Sequence, residues 1–445
     1  MDELALLHDL LREARTAGAD AADAVLVAGT SLSVQRRLGR TEHVERSEGR
    51  DLGLRVFVGR RAAIVSSSTV DRAGFAQLAE RAVAMARVVP EDPFAGLAEE
   101  AAPGEAPDAG QLELADPAEP DTASLVARAA TAEEAALAVP GVNNSEGAEA
   151  GYSRTFVSLA TSAGFAGRFV RTSHSISATA LAGEGTAMQR DYDFSSAVHL
   201  ADLEEAAVVG RTAGDRAIVR LNPQRPKTAQ RPIVYDPRLA GGLLSSLAGA
   251  INGASIARGT SFLKDKLGSR IFGADIRVHD DPRRVRGLRS RPFDGEGVPT
   301  APRTIIEDGV LTTWLLDSRT ARQLGKRTTA SAARGTGSPP SPSPTNLYMA
   351  AGRQTPAELM ADIKEGVYVT ELIGMGVNGL TGDYSRGAAG FMIRDGAIAE
   401  PVAEITIAGN LIEMFARLVP ANDLRFKRGV DAPTVRIDGM TVAGA

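Results

Sequence analysis

Hydrolytic metal chemistry needs about three protein ligands around one open coordination position, and ligands carried on a helix stand one turn apart. The five histidines, His8, His43, His174, His199 and His279, are dispersed, and no two lie within a helical turn. There is no cysteine, hence no thiolate nucleophile, no Cys-ligated metal and no disulfide. His8, beside Asp9 on a predicted helix, reads as a surface or edge residue, and His279-Asp280-Asp281 reads as the turn that ends a strand. These residue types predict no catalytic zinc within the chain.

Other motifs have plainer readings. Ser261-Phe262-Leu263-Lys264 fits the S-x-x-K nucleophile pattern, but its companion K-T-G is missing and no G-x-S-x-G occurs. Thr260 or Ser261 as a helix cap explains it better. Gly374-Met-Gly-Val-Asn-Gly379 matches G-x-G-x-x-G after a predicted strand. A dinucleotide site requires a helix to start there, and the glycines at 382, 387 and 390 argue for a connection between strands instead. Arg283, Arg284, Arg286, Arg289 and Arg291 form a basic cluster without interleaved aromatics, which reads as a solvated face or an interface pairing with acids.

The element around which the rest must be arranged is Val234–Gly268. Asp236 is a helix cap and Pro237 fits the first helical position. Leu239, Leu243, Leu244, Leu247 and Ile251 make one apolar face of a helix over 238–256. Glycine, alanine and serine make the other face, which lets a backbone or ligand approach closely. Helical glycines destabilise by roughly 0.5–1 kcal/mol each, so they need a packing reason. The helix is predicted to break at Arg258-Gly259-Thr260-Ser261.

Ahead of it, helix–meander–helix occurs twice, at 2–88 and 122–217. The first copy has strands Ala22–Ala28, Leu32–Leu38, Arg40–Glu48, Leu52–Val58 and Arg61–Ser67; the second has Gly141–Ser153, Thr155–Thr161, Gly167–Ser175, Ser177–Ala182 and Met188–Phe194. Val89–Asp121, rich in Pro, Ala, Glu and Gly, reads as an acidic connecting segment, and the repeat suggests a structural duplication. The prolines of Leu221–Pro232 mark a boundary. Beyond it strands dominate (Ile276–His279, Thr304–Glu307, Leu311–Leu315, Tyr368–Ile373, Gly390–Arg394, Ala397–Pro401), with Asp308-Gly309 and Asp395-Gly396 as hairpin turns and short helices near 317–325, 356–362 and 409–417. The fold class is α+β: an N-terminal α+β domain over 1–220 and a mainly β, barrel-like domain over 232–445 built around one buried glycine-rich helix.

At 445 residues the chain can bury a large core, and its 24 % charged content is that of an ordinary globular protein. A net charge of −5 leaves no electrostatic footprint for nucleic acid or an anionic membrane. No apolar run approaches the roughly 20 residues of a membrane span, and no signal peptide is expected from the charged, amphipathic first residues. A cytoplasmic location is expected.

Four long blocks in order resemble the TldD/PmbA proteins, in their PmbA (TldE) branch: DLGLRVFVGRRAAIVSSS, DPRLAGGLLSSLAGAINGASIARGTSFLKDKLG, SPTNLYMAAG and GVYVTELIGMGVNGLTGDYSRGAAGFMIRDGAIAEPVAEITIAGNL. In the TldD branch the second block carries a zinc-binding His-Glu-x-x-x-His and a downstream cysteine completes the site; zinc polarises the scissile carbonyl and the glutamate is general base. Here that helix has neither histidine nor glutamate. The resemblance therefore implies a metallopeptidase subunit acting on peptides or unfolded small proteins, with no cofactor of its own, the zinc residing in a TldD-type partner of a heterodimer. A homodimer is the other arrangement, and a non-catalytic binding or regulatory module the other function. The resemblance also points to Asn378, Thr381, Asp383, Tyr384, Ser385 and Arg386, where the zinc branch has its cysteine, and to Arg258 and Thr260 at the helix break, as residues that contact substrate or partner. Ser338–Asn346 is expected to be an ordered, extended surface segment able to template a peptide strand.

Overall fold

The computed structural model describes residues 2–106 and 109–444. The N-terminal half comprises α1 (Glu3–Thr16), β1 (Ala21–Arg37), β2 (Arg40–Val58), β3 (Arg61–Ser67), α2 (Phe75–Val88), α3 (Thr122–Leu137), β4 (Val142–Thr161), β5 (Phe165–Ala182), β6 (Gln189–Ala197) and α4 (Ala206–Val219). The strands join in the order β3-β2-β1-β4-β5-β6, so two antiparallel meanders meet back to back at β1 and β4.

These strands are longer than the sequence suggests. Glycines that fall between the predicted strands lie inside continuous ladders: Gly29 pairs with Gly49 across β1 and β2 and with Thr155 on β4. A Cβ on Gly29 would stand 2.9 Å from the Arg154 carbonyl oxygen, so close strand contact, not a turn, selects glycine there. Pleating then separates the two faces. Ala22, Ala24 and Leu26 pack under α1 and α2, and Ala148, Ala150, Ile176 and Ala178 under α3 and α4. Val25, Leu159 and Phe165 pack on the opposite face, against Phe293, Val298 and Ala330 of the C-terminal half.

The connecting segment, apart from residues 107 and 108, which lie outside the described residues, is fastened rather than free. Ala98, Ala101, Leu112 and Leu114 are buried, Thr172 donates its backbone N–H to Leu114, and the Asp116 carboxylate accepts from the Leu200 backbone N–H.

In the C-terminal half, β7 (Ala229–Tyr235), β8 (Glu365–Ile373), β9 (Asp383–Arg394), β10 (Ala397–Asn410) and β11 (Val435–Ala443) form a ring. β7 lies parallel to β8, and the antiparallel pairs β8–β9, β9–β10, β10–β11 and β11–β7 close it into a five-stranded barrel. β9 and β10 also outrun their predicted lengths. Gly390 sits mid-strand because a Cβ would collide with the Tyr368 carbonyl oxygen at 2.0 Å. A second sheet carries strands Val278–Asp280, Arg303–Glu307, Leu347–Met349 and Val430–Asp431. Here Asp280 belongs to a strand rather than a turn, and its carboxylate takes the backbone N–H and hydroxyl of Thr345, each at 2.7 Å.

The organising helix lies between barrel and second sheet and ends earlier than predicted. It spans α5 (Pro237–Ala250), followed by α6 (Gly253–Ala257). Residues 251 and 252 leave the helix because Leu315 bridges the gap: its N–H donates to the Ile251 carbonyl, and its carbonyl accepts from the Gly253 N–H. Asn252 then caps α6, accepting from the Ala254 N–H. Ser261 caps no following helix. Its hydroxyl reaches back 2.5 Å to the Ala250 carbonyl, the C-terminus of α5. Among the described residues no helix is long and apolar enough to cross a membrane.

Candidate functional site

The start of α5 is fixed by Asp236, which accepts from the Arg238 N–H at 2.8 Å and from the Tyr368 hydroxyl at 3.2 Å. Burial, reinforced by the Asp236 charge, raises the Tyr368 pKa and keeps that hydroxyl a donor. Leu243, Leu244 and Leu247 point into the core, which leaves Gly242, Ser245 and Gly249 as an exposed stripe. Two kinds of glycine occur here. A Cβ on Gly241 would meet the Val430 carbonyl oxygen at 2.5 Å and one on Gly253 the Leu316 side chain at 2.6 Å, whereas Cβ atoms on Gly242 and Gly249 would meet nothing. Packing inside the chain explains the first pair and not the second.

That stripe floors an open cleft of about 640 Å³. Pro342, Ser343 and Pro344 form one side, held by Asn252, whose amide donates to the Pro342 carbonyl at 2.7 Å. Leu372 of β8 and Arg386 of β9 line it from the barrel, and Arg238, Arg289 and Arg428 enter as well. Arg238 is neutralised by Asp191 at 2.7 Å and Asp236 at 3.1 Å. Arg428 donates to the Arg238 carbonyl at 2.7 Å and lies over the Phe194 ring. Arg289 and Arg386 have no ion pair among the described residues. The cleft is therefore cationic, with no carboxylate or imidazole in its lining.

Of the residues anticipated from the sequence, Arg386 lines this cleft. Asn378, Thr381 and Asp383 brace the 374–382 loop. The Asn378 carboxamide oxygen accepts from the Leu380 N–H, and Asp383 accepts from the Thr381 hydroxyl at 2.6 Å and the Asn410 amide. Arg258 and Thr260 are exposed beside that loop, where Gly379 accepts from the Phe262 N–H, and Ser385 is exposed on β9. Tyr384 is buried in the barrel core and not offered to a ligand. The G-x-G-x-x-G stretch joins β8 to β9 and starts no helix; Gly376 is required because a Cβ would overlap the Ser385 carbonyl.

Sequence reasoning missed Arg289, Arg428 and Asn252, which the chain brings from separate segments. It read the 283–291 arginines together, as a solvated face or an interface pairing with acids. Arg286 does pair with Glu113 and Asp202, but Arg291 turns inward and buries unpartnered donors. The Ser338–Asn346 segment begins as an extended pairing of Ser341–Pro342 with Ala332–Ala333, then dives inward so that Thr345 and Asn346 are buried.

The lining does not fit a zinc ion: glycine, serine, alanine, asparagine and arginine supply no ligand set. Nor, among the described residues, does any group of three or more His, Asp or Glu side chains have an arrangement that could hold a metal ion.

The sequence matches the PmbA/TldA metallopeptidase family in three parts: domain 1 over residues 22–86, the central domain over 115–221 and the C-terminal domain over 228–444. It is 36 % identical to the metalloprotease PmbA of Escherichia coli O157:H7, across 96 % of this chain and 92 % of that protein. It is 33 % identical to the PmbA homologue of Haemophilus influenzae, across 97 % and 94 %. Among solved structures, a Bacteroides thetaiotaomicron protein assigned as a DNA gyrase modulator superposes with a TM-score of 0.91 at 27 % identity, over the whole of both chains. TldE of Thermococcus kodakarensis superposes at 0.88 and 19 % identity, over 99 % of this chain and 100 % of that one, a likeness of fold alone. The chain belongs to the TldD/PmbA family.

Proposed function

We propose that this chain is the PmbA/TldE-type subunit of a cytoplasmic metallopeptidase complex that cleaves peptides or unfolded small proteins. In this reading a TldD-type partner carries the zinc and the general base, and this chain contributes a wall of the substrate chamber. The observation that carries the reading is the α5 stripe. Gly242 and Gly249 stay bare with nothing of their own chain to accommodate, at a cost of roughly 0.5–1 kcal/mol each. Bare helix backbone admits an extended peptide or a partner's backbone, and the cationic lining with no base or metal ligand supports a wall rather than a reaction centre.

The β8–β9 loop suits the partner contact. Ile373, Met375 and Leu380 expose 60, 99 and 59 % of their surface, and Val377 lies between them. Exposed apolar groups clustered on one loop are characteristic of interaction sites. The same loop could join two copies of this chain, so oligomeric state must be measured with and without the partner.

The test is zinc content and peptidase activity of the chain alone and mixed with a TldD-type protein. Cleavage only in the mixture, with negligible zinc in this chain, is the expected result. Stoichiometric zinc and cleavage by the chain alone would overturn the reading, and a stable complex that never cleaves would favour a regulatory module.

A further inference from the structure

Beside the cleft lies a second cavity, of about 360 Å³, in the seam between the N-terminal sheet and the C-terminal half. Its N-terminal wall is the sheet face turned away from the helices. Ladder pairing sets Val27, Val157 and Phe169 side by side, and places Arg171 opposite Thr155. The C-terminal wall adds Arg289, Arg291 and Arg334. Four guanidinium groups thus enter one small, half-apolar space.

Their donors are largely unmet. Nε and Nη2 of Arg291 are buried with no protein partner, as are Nε and Nη2 of Arg334 and Nε of Arg171. Arg334 keeps one bond, from Nη1 to Asp23, and Arg171 one, to the Ser290 carbonyl. The single carboxylate in the lining is Asp294, and its oxygens accept backbone N–H groups of Glu296, Val298 and Ala332 at 2.9–3.1 Å rather than any arginine. Burial, then the charges of Arg291 and Arg289, push the Arg171 pKa down to about 10. Buried donors of this strength are ordinarily satisfied, and guanidinium groups gathered without a paired carboxylate favour an anionic acceptor.

We propose that this cavity binds an oxyanion, a carboxylate or a phosphate-type group, held by Arg171, Arg291 and Arg334. The planar fork of arginine matches two oxygens of such a group, and several forks converging from different segments fix its orientation. The cavity shares Arg289 and Pro344 with the cleft over α5. A peptide lying along the cleft can therefore deliver its C-terminal carboxylate here, an assignment that rests on the cleft reading above. A free inorganic anion needs no such reading.

Titration calorimetry on the full chain separates these sources, using inorganic phosphate, sulfate, and one extended peptide as the free acid and as the C-terminal amide. At least one anion is expected to bind with one-to-one stoichiometry and raise the melting temperature. Arg171→Gln and Arg291→Gln should each weaken it by roughly tenfold or more, the loss of one charge-assisted pair. Neither variant should melt earlier than the parent without anion, because each removes an unpaired buried charge. Free acid binding roughly tenfold tighter than amide identifies the peptide terminus as the occupant. Equal peptide affinities with intact phosphate or sulfate binding identify a free anion. No binding of any of the four at millimolar concentration, or binding that both variants leave unchanged, overturns the proposal. The anion arm stands even where peptide binding fails.

Discussion

Arg334 donates to Asp23 at 2.6 Å across 311 residues of sequence, joining the second half of the chain to the first strand of the N-terminal sheet. The other oxygen of Asp23 holds Arg55, its cross-strand partner on β2, and Arg55 lies 3.6 Å from Glu296. Only 2 % of the Arg334 side chain is exposed, so this junction is removed from water. Asp23→Asn leaves two buried guanidinium groups without their shared counterion and should destabilise by about 3–5 kcal/mol, as breaking a buried pair does. Denaturant unfolding measures it; a change within 1 kcal/mol, set against that scale, would mean that the network is energetically idle.

The same pair sets an acid limit. Burial raises the Asp23 pKa, but Arg334 and Arg55 outweigh it and leave the carboxyl below the usual carboxylate range. A depressed folded-state pKa gives stability that is present above the unfolded value near 4 and is lost as pH falls through the folded one. Unfolding free energy should therefore drop as pH is lowered below about 4, and the parent should lose more over that interval than Asp23→Asn does.

The two classes of glycine on α5 should separate cleanly. Gly242→Ala and Gly249→Ala place a methyl in open space and should stabilise the isolated chain by roughly 0.5–1 kcal/mol each. Gly241→Ala drives a methyl onto the Val430 carbonyl and should destabilise by about 1–3 kcal/mol. Gly242→Leu should fold yet lose cleavage in the mixed complex. Unimpaired cleavage by that variant would remove the cleft from the mechanism.

Met375→Ser with Leu380→Ser should leave the melting temperature of the lone chain within a degree or so, since surface substitutions are near neutral. The same pair should weaken association with a TldD-type partner by at least roughly tenfold, the weight of an apolar contact centre. Sedimentation velocity of the mixture reads both the complex and any dimer of this chain.

Anion binding should depend on pH through Asp294. Burial, then the Glu296 charge, pushes its pKa up to about 7, while Arg291 and the N–H donors of Glu296 and Val298 oppose the rise; Arg303 also faces it. As pH rises through 7, Asp294 gains a negative charge inside the cavity and competes with the ligand. Sulfate does not titrate here, so its affinity should fall between pH 6 and pH 8 by roughly fivefold, about 1 kcal/mol of charge interaction at protein-like screening. A flat profile would place Asp294 out of range of the anion.

The element types of the fold were legible in the sequence, and its interruptions were not. Capping by Asp236 and the leucine face of α5 rest on local chemistry, which a sequence displays. The pairing of β1 with β4 through Gly29 and Thr155, and the break at Asn252 imposed by Leu315, depend on partners over sixty residues away and leave no local trace. The site divides in the same way. Arg386 was reached through the glycine-rich stretch around it, whereas Arg289 and Arg428 lie far apart in sequence and meet only at the cleft. Arg291 stood in plain view within a basic run, yet nothing local distinguishes an arginine that turns inward from its solvated neighbours.

Barrel closure by β11 has a consequence for the order of events during synthesis. β7, made some two hundred residues earlier, pairs with β8 and β11, and β10 closes the ring only by meeting β11 as well. Until Val435–Ala443 has left the ribosome, β7 and β10 each present an unsatisfied edge, and α5 lacks its finished support. The N-terminal sheet, complete by residue 197, can fold while the chain is still growing; the cleft cannot. Ribosome-bound chains halted before Val435 should therefore display a protease-resistant N-terminal half followed by a sensitive remainder.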